Sequence, residues 1–532
     1  MGWVLTRQAV AVQFRLSAEA GPPGYHRGMT EIPEFEPADL SEQMRVRLDK
    51  RARLLAQGSQ PYPVAVPRTI SIEEVRDRWG HLQPGEETQD IVGVAGRVIF
   101  LRNTGKLCFA TLQGSFTAQT SGERLQVMIS LAEVGQERLD GWKSDVDLGD
   151  FIEVTGRVIA SKRGELSVLA TSWQMASKAL RPLPVLHKDL SEETRVRQRY
   201  ADLVVRQESR DMVRTRSTVM KSIRDTLDRE GFLEIETPVL QLIHGGAAAR
   251  PFRTHLNAFD IDMTLRIALE LFLKRAMVGG ADRVYEIGRI FRNEGIDSAH
   301  SAEFSMLEFY AAWGDQFTGA ATTRRIIQNA ADAALERRTV TLNGVEIDLD
   351  GEWRWAKFFD LVSEAVGEEV TIETSLEQLR TYADQRQISY DPKLDQGKMA
   401  MELYSELVER DLMQPTFVCD FPAIAQPLAR PHRDDPRLVE AWDLIIGGVE
   451  RGTGFSELID PVIQRERLTE QSLRAAGGDP EAMQLDEDFL RALELGAPPM
   501  GGVGIGIDRL MMLLTDVGIR ETILFPLLRP EK

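Results

Sequence analysis

The chain has few cysteines and no long hydrophobic run. Among 532 residues only Cys108 and Cys419 are cysteines, so the sequence supports neither a disulfide framework nor the repeated Cys and His spacing of a structural zinc site. Charged residues interrupt the most apolar stretches well short of the roughly 20 residues that a membrane-spanning helix needs. We therefore expect a protein without a membrane segment, in a reducing compartment such as the cytoplasm.

Positive charge is also scarce. Lys and Arg number 64 against 82 Asp and Glu, which gives a formal net charge of −18. Because nucleic acids are bound through local positive charge and counterion release, this balance excludes a general coating of RNA or DNA and leaves only a local patch. Residues 41–58, SEQMRVRLDKRARLLAQG, predict a basic helix that Ser41 caps and Gly58 ends. A solvated helix face explains these charges unless a neighbouring domain binds RNA.

The length predicts two or three domains. The pattern divides the chain into a flexible N-terminal extension, a basic helix with a connector, a barrel, a linker and a larger second domain with a helical insertion: residues 1–40, 41–88, 89–180, 181–207 and 208–532, with the insertion at about 319–411. Residues 1–28 show no extended hydrophobic region of a secretory signal. A transit peptide would explain them, and an over-extended start before Met29 explains them more simply.

Five strand-like segments follow one another between residues 90 and 173: IVGVAGRVIF, GKLCFATLQG, RLQVMISL, FIEVTGRVIAS and ELSVLATSW. This count fits an OB-fold, a barrel whose surface and loops often hold single-stranded nucleic acid, although the alternation alone would also fit another five-stranded barrel. Further along, residues 209–229 predict a long helix. Strands are predicted at DRVYEIGRIF, AEFSMLEFYAAW, TFVCDFP and beyond, so we expect an α+β second domain.

The segment IFRNEGIDSAHSAEFSMLEFY, residues 290–310, concentrates groups that suit a nucleotide site. If its two strands face a pocket, Arg292 can bind a phosphate oxygen, Glu294 can accept from an exocyclic amine and Phe304 can stack on a base. The same segment contains His300 and Glu308. A half-exposed hairpin with incidental salt bridges would also explain any single one of these charges.

Small residues alternate in GGVGIGIDRL, residues 501–510, a predicted strand that leads into Asp508 and Arg509. Alternating glycines would let a flat ligand lie on the backbone, and Arg509 would add a second guanidinium that can bind phosphate. The stretch lacks the context of a dinucleotide-binding fingerprint and the GK[ST] of a P-loop. Two arginines beside such a surface suit chemistry at the α-phosphate of ATP.

Three acidic residues, Asp443, Glu450 and Glu457, are spaced seven apart in WDLIIGGVERGTGFSEL. A separation of seven reverses the face of a strand, so a bend must intervene if the carboxylates converge, and the glycines between them could provide it. Asp443 and Glu450 would suit a hard cation that bridges ATP phosphates, because Mg²⁺ prefers carboxylates and retained waters. Surface acids in an acidic protein are the alternative.

Three motifs, GFLEIETPVL, FRNEG…H…EF…E and GxGxGIDR, resemble in order and spacing the motifs of class II aminoacyl-tRNA synthetases. The span from about residue 41 to 530 resembles bacterial lysyl-tRNA synthetases, notably in RVRQRYADL, GGAAARPF, ELFLKR and IRETILFP. The resemblance implies an OB-fold anticodon-binding domain and a class II catalytic domain with an antiparallel sheet flanked by helices. It also implies a homodimer with Pro238 in its interface, and a cytoplasmic enzyme that activates L-lysine with ATP and transfers it to tRNA(Lys).

The resemblance also assigns residues, position by position. Those implied to bind ATP are Arg292, Glu294, His300, Phe304, Glu450 and Arg509, with Arg292 and Arg509 as the catalytic pair. Those implied to hold Mg²⁺ are Asp443 and Glu450. Those implied to bind lysine are Gly246, Glu270, Glu308, Tyr310 and Glu457. Those implied to read the anticodon are Arg102, Phe109 and Gln126, although Phe109 as a core residue is the alternative. The basic helix at residues 41–58 then becomes a candidate tRNA contact.

Several positions depart from the family pattern. Asp443 stands where many relatives have Glu, Leu269 replaces a usual Pro, Thr453 a usual Asn and Phe455 a usual Tyr, and HSAEFS replaces HNPEFT. Such changes could alter the affinity for lysine. Carboxylates around both ammonium groups would select lysine against uncharged competitors, because a buried acid left unpaired is costly, whereas ornithine differs by only one methylene.

Four rival functions share part of the pattern. An aspartate- or asparagine-specific relative has the same architecture, but FRNEG and GGAAARPF favour lysine. An enzyme that lysylates an elongation factor normally lacks the OB domain, and a lipid-lysylating fusion needs membrane helices. A catalytically silent tRNA-binding protein would lose the ATP ligands, whereas Arg292, Glu450 and Arg509 are all present.

Overall fold

The computed structural model describes residues 40–184, 190–479 and 481–530. The predicted extension, including Met29, lies outside the described residues except for residue 40. By their contacts the described residues form two compact units. The first contains those up to 182 other than 114–123, and the second contains residues 114–123 and those from 183 onward. Among the described residues we find no helix whose length and hydrophobicity would suffice to span a bilayer.

The first unit is built around a closed five-stranded barrel. Its elements are α1 (Glu42–Ala56), α2 (Ile72–Trp79), β1 (Glu87–Thr104), β2 (Leu107–Gln113), β3 (Arg124–Ser130), α3 (Leu131–Asp145), β4 (Phe151–Ala160) and β5 (Leu166–Ser177). The strands close in the order β1-β2-β3-β5-β4, with β3 and β5 parallel and the other pairs antiparallel. All five predicted strands and the predicted barrel are confirmed.

Strict alternation of side chains makes these segments strands. In β2 the side chains of Cys108, Ala110 and Leu112 are fully buried, and in β3 those of Val127 and Ile129 are too. Because successive residues of a strand face opposite sides, the intervening residues are left on the outer surface of the barrel. The side chains that these strands offer to a ligand therefore come from the outward positions.

Helix α1 is the predicted basic helix, and Ser41 caps it by accepting from the Met44 N–H at 3.3 Å. Three of its basic side chains form hydrogen bonds or ion pairs with other residues of the first unit. The guanidinium of Arg47 is buried and donates to the carbonyl of Leu148 at 2.9 Å, Lys50 pairs with an aspartate at 2.7 Å, and Arg53 pairs with another. Of the predicted basic surface, Arg45 and the paired Arg53 remain exposed, and Arg51 lies over the Tyr62 ring at 5.8 Å. Leu55, predicted on the apolar side of the helix, is 46% exposed.

The second unit contains the remaining elements. Its helices are α4 (Glu192–Arg197), α5 (Arg199–Val205), α6 (Gln207–Arg229), α7 (Glu270–Val278), α8 (Gln316–Leu335), α9 (Phe358–Val366), α10 (Leu376–Gln385), α11 (Gln396–Leu407), α12 (Pro461–Ala476), α13 (Glu487–Glu494), α14 (Ile507–Thr515) and α15 (Ile519–Thr522). Its strands are β6 (Leu233–Glu234), β7 (Leu240–Gln241), β8 (Arg253–Leu256), β9 (Ile261–Leu265), β10 (Arg283–Phe291), β11 (Glu303–Ala312), β12 (Thr339–Leu342), β13 (Val345–Asp348), β14 (Arg354–Lys357), β15 (Thr416–Cys419), β16 (Ala441–Ile445), β17 (Glu450–Ser456) and β18 (Met500–Gly506).

Eight of these strands form the central sheet, in the order β14-β15-β16-β17-β18-β11-β10-β6. The six strands from β15 to β10 are antiparallel, which confirms the predicted sheet. At each edge one short strand, β14 or β6, pairs parallel to its neighbour. The segment GFLEIETPVL contributes only the two residues of β6 to this sheet.

The two faces of the sheet have different roles. One face packs against α6, α8 and α14 in a core that includes Ile223, Ile327 and Leu510 from these helices and Phe309 and Val503 from strands β11 and β18. Because strand residues alternate, the neighbours of Phe309 and Val503 in sequence face the other way. The sheet therefore presents a second face, which is available for a site.

The stretch predicted as a helical insertion at about 319–411 contains α9, α10 and α11 and most of α8, together with three short strands. Helix α8 shares the core of the sheet with α6. Helices α9, α10 and α11 form a core of their own with residues at the far end of the sheet, such as Phe421 and Ala441. The domain boundaries stay predictions.

Candidate active site

A cavity of about 730 Å³ opens on the second face of the central sheet. It brings together eleven of the residues predicted from sequence: Gly246, Glu270, Arg292, Glu294, His300, Phe304, Glu308, Tyr310, Glu450, Glu457 and Arg509. Asp443 instead lines an adjoining cavity of about 390 Å³, which shares Glu450 with the first. Residues that are far apart in the chain therefore line the same pair of adjoining cavities.

Two adjacent strands, β11 and β18, form the floor of this cavity. Phe304, Met306, Glu308 and Tyr310 alternate along β11 and face the cavity, while the residues between them face the helices. On β18 the corresponding positions are glycines, and Tyr310 pairs with Gly502 across the strands. Because glycine has no side chain, nothing projects into the cavity from these positions, and a ligand can lie against the backbone.

One end of the cavity carries two guanidinium groups. Arg509, in the first turn of α14, donates to the carbonyl of Glu450 at 3.1 Å and lies 3.3 Å from its carboxylate. Its other terminal nitrogen lies 3.2 Å from Nε2 of His300. The guanidinium of Arg292 lies over the ring of Phe304 at 5.4 Å, and burial lowers the pKa of Arg292. This end suits the phosphates and the base of a nucleotide.

Acidic side chains gather beside that end. The bend predicted between Asp443 and Glu450 is the turn from β16 to β17, where Gly447 and Gly448 both have left-handed φ angles, of 65° and 67°. Asp443, Glu450 and Glu409 line the adjoining cavity together. Burial, and then repulsion by Glu450, raise the pKa of Asp443 to about 8.

A bound cation would relieve this repulsion, so the donors fit Mg²⁺ chemically. In the described ranges no three His, Cys, Asp or Glu side chains form a ready metal cluster. A cation here would therefore take phosphate oxygens or waters as its other ligands, as Mg²⁺ commonly does.

The other end of the cavity is lined by carboxylates. Oε1 of Glu308 accepts from the N–H of Leu269 at 2.8 Å, and Oε2 accepts from the Tyr310 hydroxyl at 3.1 Å. A proline at position 269, as in the family pattern, could not donate that first bond. Glu270 and Glu457 both contact the ammonium of Lys274.

Burial controls the protonation of this end. Burial, reinforced by repulsion from Glu270, raises the pKa of Glu308 to about 8. Burial also raises the pKa of Glu457 to about 8, although Lys274 opposes that shift. A cationic ligand would reverse these shifts, because it stabilises the ionised carboxylates. The arrangement is suited to a small molecule with positively charged groups.

Lys274 and Glu409 are components that the sequence interpretation did not name. Lys274 lies four residues after Glu270 in helix α7, and that i,i+4 spacing of opposite charges was a visible signal. Glu409 follows α11 and reaches the acidic cluster only through the packing of α11 against the sheet. No local pattern marks it.

On the barrel, the three residues predicted to read an anticodon lie on neighbouring strands. Arg102 of β1 pairs directly with Phe109 of β2, and both side chains face outward. The alternative of Phe109 as a core residue is wrong, because its neighbours Cys108 and Ala110 occupy the core. Gln126 of β3 donates to the Ser167 hydroxyl at 2.8 Å.

Two family models match the chain. Residues 191–529 match the tRNA synthetases class II (D, K and N), and residues 92–176 match the OB-fold nucleic acid binding domain. The first match covers the central sheet and both ends of the cavity, and the second covers the five barrel strands. Both matches agree with the resemblance found in the sequence.

Curated proteins with similar sequences include lysine–tRNA ligases. The chain is 57% identical over 504 residues to that of Kineococcus radiotolerans, which covers 94% of this chain and 100% of the relative. It is 57% identical over 499 residues to lysine–tRNA ligase 1 of Mycobacterium tuberculosis, covering 92% and 98%. A lysylphosphatidylglycerol biosynthesis bifunctional protein of Mycobacterium marinum is 47% identical over 497 residues, covering 92% of this chain and 44% of that protein.

Proposed function

The chain belongs to the class II tRNA synthetases and, among them, to the lysine–tRNA ligases, and on this premise we propose how its residues work. It activates lysine with ATP and transfers the lysyl group to tRNA. The observation that carries the assignment of roles is the division of one cavity into an arginine end and a carboxylate end. ATP and lysine would occupy these two ends side by side.

At the arginine end, Arg292 and Arg509 would bind the phosphates of ATP. Phe304 would stack on the adenine, and Glu294 would accept from its exocyclic amine. His300 lies beside Arg509 and would help to orient it. Glu450 contacts Arg509 and fixes its guanidinium before the nucleotide arrives.

Mg²⁺ would be held by Asp443 and Glu450, with Glu409 nearby. The ion would supply positive charge that neutralises the phosphate oxygens. The raised pKa of Asp443, to about 8, supports this assignment, because a carboxylate crowded by others gains most from a cation. Removal of divalent cations with a chelator should abolish lysine activation.

At the carboxylate end, Glu270, Glu308 and Glu457 would receive the two ammonium groups of lysine, and Tyr310 would hold Glu308 in place. The segment at Gly246 would close the pocket from the other side. An uncharged competitor would leave buried acids without partners, which typically costs several kcal/mol. The pocket would therefore select a doubly cationic amino acid.

Activation would proceed by in-line attack of the lysine carboxylate on the α-phosphorus. Arg292 and Arg509 would stabilise the negative charge that develops as pyrophosphate leaves, and no protein nucleophile is required. In the second step a hydroxyl of the terminal ribose of tRNA would attack the carbonyl carbon of the lysyl-adenylate, forming an ester as the bond to the phosphate breaks and AMP leaves. We assign no side chain as the base for that step.

Amino-acid-dependent exchange of pyrophosphate into ATP tests this pocket. Across the common amino acids, lysine should give exchange well above all others, followed by charging of tRNA(Lys). Exchange with another amino acid but not with lysine would contradict the assignment. A second arm compares lysine with norleucine, which lacks only the ε-ammonium, and norleucine should give no exchange above background.

The barrel would bind the anticodon through Arg102, Phe109 and Gln126. Phe109 and Arg102 are adjacent on the outer face, where a base can stack on the ring while the guanidinium contacts it. The basic residues left outward on α1 would add phosphate contacts. These assignments rest on the outward orientation of the side chains and on the family.

The enzyme would act as a homodimer. Around Pro238 the chain exposes apolar side chains that a partner copy would cover: Leu233, Val239, Leu240 and Leu242, which are 60%, 38%, 44% and 65% exposed. Leu242→Asp should shift the protein from dimer to monomer in analytical ultracentrifugation. Leu473→Asp, at a similarly exposed leucine on α12, should leave the dimer intact.

We place the enzyme in the cytoplasm, where ATP, lysine and tRNA are available and where its two free thiols stay reduced.

We also retain the domain division given above as a proposal. Expression of residues 89–180 alone tests it: a folded fragment that binds the anticodon stem-loop of tRNA(Lys) is expected.

A further inference from the structure

A lysine side chain of the protein lies directly behind the amino-acid end of the cavity. Lys274 is fully buried, and its ammonium donates to Oε1 of Glu270 at 2.6 Å and to the carbonyl of Leu428 at 3.4 Å. It also contacts Oε2 of Glu457. Lys274 itself does not line the cavity.

Lys274 orients the carboxylates of Glu270 and Glu457, because its ammonium contacts both of them. Glu270 comes from helix α7 and Glu457 from the chain just after β17, and the single ammonium joins them. The other oxygen of Glu457, Oε1, has no hydrogen-bond donor in the described parts of the chain. That oxygen is buried and lies directly above the Cα of Gly502, and both residues line the cavity.

The charged groups at the amino-acid end of the cavity can be added up. The groups that face one another from all packed elements are three carboxylates, one hydroxyl and two cations, namely Glu270, Glu308, Glu457, Tyr310, Lys274 and Arg292. Because Arg292 is assigned to the phosphates of ATP, three acids and one internal ammonium remain at the amino-acid end. Two further positive charges would neutralise them, and lysine carries two ammonium groups.

We propose that Lys274 is a positioning residue, a built-in counter-ion that fixes Glu270 and Glu457 and sets the charge of the pocket to match the two ammonium groups of lysine. This inference rests on the proposed lysine pocket. Without the internal ammonium, two buried carboxylates would face each other across a short gap. One of them would take up a proton or turn away, and the pocket would lose an acceptor.

The test is Lys274→Met, which keeps most of the side-chain volume and removes the charge. The KM for lysine in pyrophosphate exchange should rise by about tenfold or more, as when one partner of a buried charge pair is removed. The KM for ATP and the kcat at saturating lysine should stay within about threefold, because the arginine end is untouched. The acid limb of the pH profile of kcat/KM for lysine should also move to higher pH.

A matched control is Lys178→Met in the barrel, where an equally buried lysine contacts the carboxylates of Asp147 and Asp150. This variant loses a comparable ion pair but should keep the wild-type KM for lysine. If Lys274→Met does not fold, Lys274→Gln, which keeps a hydrogen-bond donor without the charge, carries the same expectations.

Glu457→Gln separates this inference from the pocket on which it rests. A raised KM for lysine in Glu457→Gln, together with an unchanged KM and pH profile in Lys274→Met, would overturn the role of Lys274 and leave the pocket standing. An unchanged KM in Glu457→Gln would overturn the pocket assignment and this inference with it. Raised KM values in both, with the shifted acid limb, support the proposal.

Discussion

Replacing Gly502 by alanine places a methyl group where two side chains of the lysine pocket already lie. An ideal Cβ at this position of β18 would be 2.0 Å from Oε1 of Glu457 and 2.3 Å from Cε1 of Tyr310. Ordinary contacts of a methyl carbon begin at about 3.4 Å, so both side chains must move by more than about 1 Å. Both side chains are anchored, since Glu457 contacts Lys274 and Tyr310 donates to Glu308.

The expected loss follows from that displacement. A misplacement of about 1 Å in a catalytic pocket can lower activity by about 100-fold, which corresponds to about 2.7 kcal/mol of transition-state stabilisation. The defect should appear in the KM for lysine, because the displaced groups lie at the amino-acid end. The KM for ATP should change little.

Lysine-dependent pyrophosphate exchange at varied lysine and ATP measures both constants. Gly141→Ala in helix α3 is the control, because its new Cβ would meet Cζ2 of Trp173 at 3.7 Å, an ordinary contact, and Gly141 does not line the cavity. It should leave the KM for lysine near the wild-type value, and a thermal melt of each variant checks the fold. A folded Gly502→Ala variant with an unchanged KM for lysine would refute the reasoning.

Arg292→Ala and Arg509→Ala should each lower pyrophosphate exchange by about 100- to 1000-fold, because each removes a preformed donor for the phosphate charge, and full exchange in either would contradict the phosphate roles. In the ligand-free enzyme, thermal stability should fall as pH rises from about 4.5 to about 8, because Glu308, with its pKa raised to about 8, binds more protons folded than unfolded. Glu308→Gln should flatten this dependence in melts across that range, and an unchanged slope would count against the shift. Phe109→Ala should lower charging of tRNA(Lys) by about tenfold, since base stacking contributes about 1–3 kcal/mol, while lysine-dependent exchange stays normal; equal losses in both assays would argue against anticodon contact.

Local patterns were sufficient for most of the secondary structure. The five barrel strands, helix α6 and the strands β10, β11 and β18 were predicted, because alternation and helical periodicity are properties of consecutive residues. Helix α1 was predicted too, but the internal partners of its basic side chains were not. Arg47 turned out to be buried, since only the folded unit brings backbone carbonyls of distant residues to its guanidinium.

The site residues were predicted partly from the family resemblance and partly from their spacing in the sequence. Eleven residues inferred from the family resemblance converge on one cavity, which sequence spacing alone could not establish. Asp443 was grouped with Glu450 on spacing and a bend, and the turn at Gly447 and Gly448 provides that bend. Glu409 was missed, because it joins these acids only through the packing of α11.

The sequence by itself determined the two folds, the family and the chemistry of the reaction. These depend on motifs and periodicities that are complete within short stretches of chain. Only the tertiary structure decided how the charges of the pocket are balanced. Lys274 and Glu270 are neighbours on one helix, but Glu457 and Leu428 reach the same ammonium from more than 150 residues away. Burial then makes that contact decisive, because removing water strengthens both the attraction and the cost of any charge left unpaired.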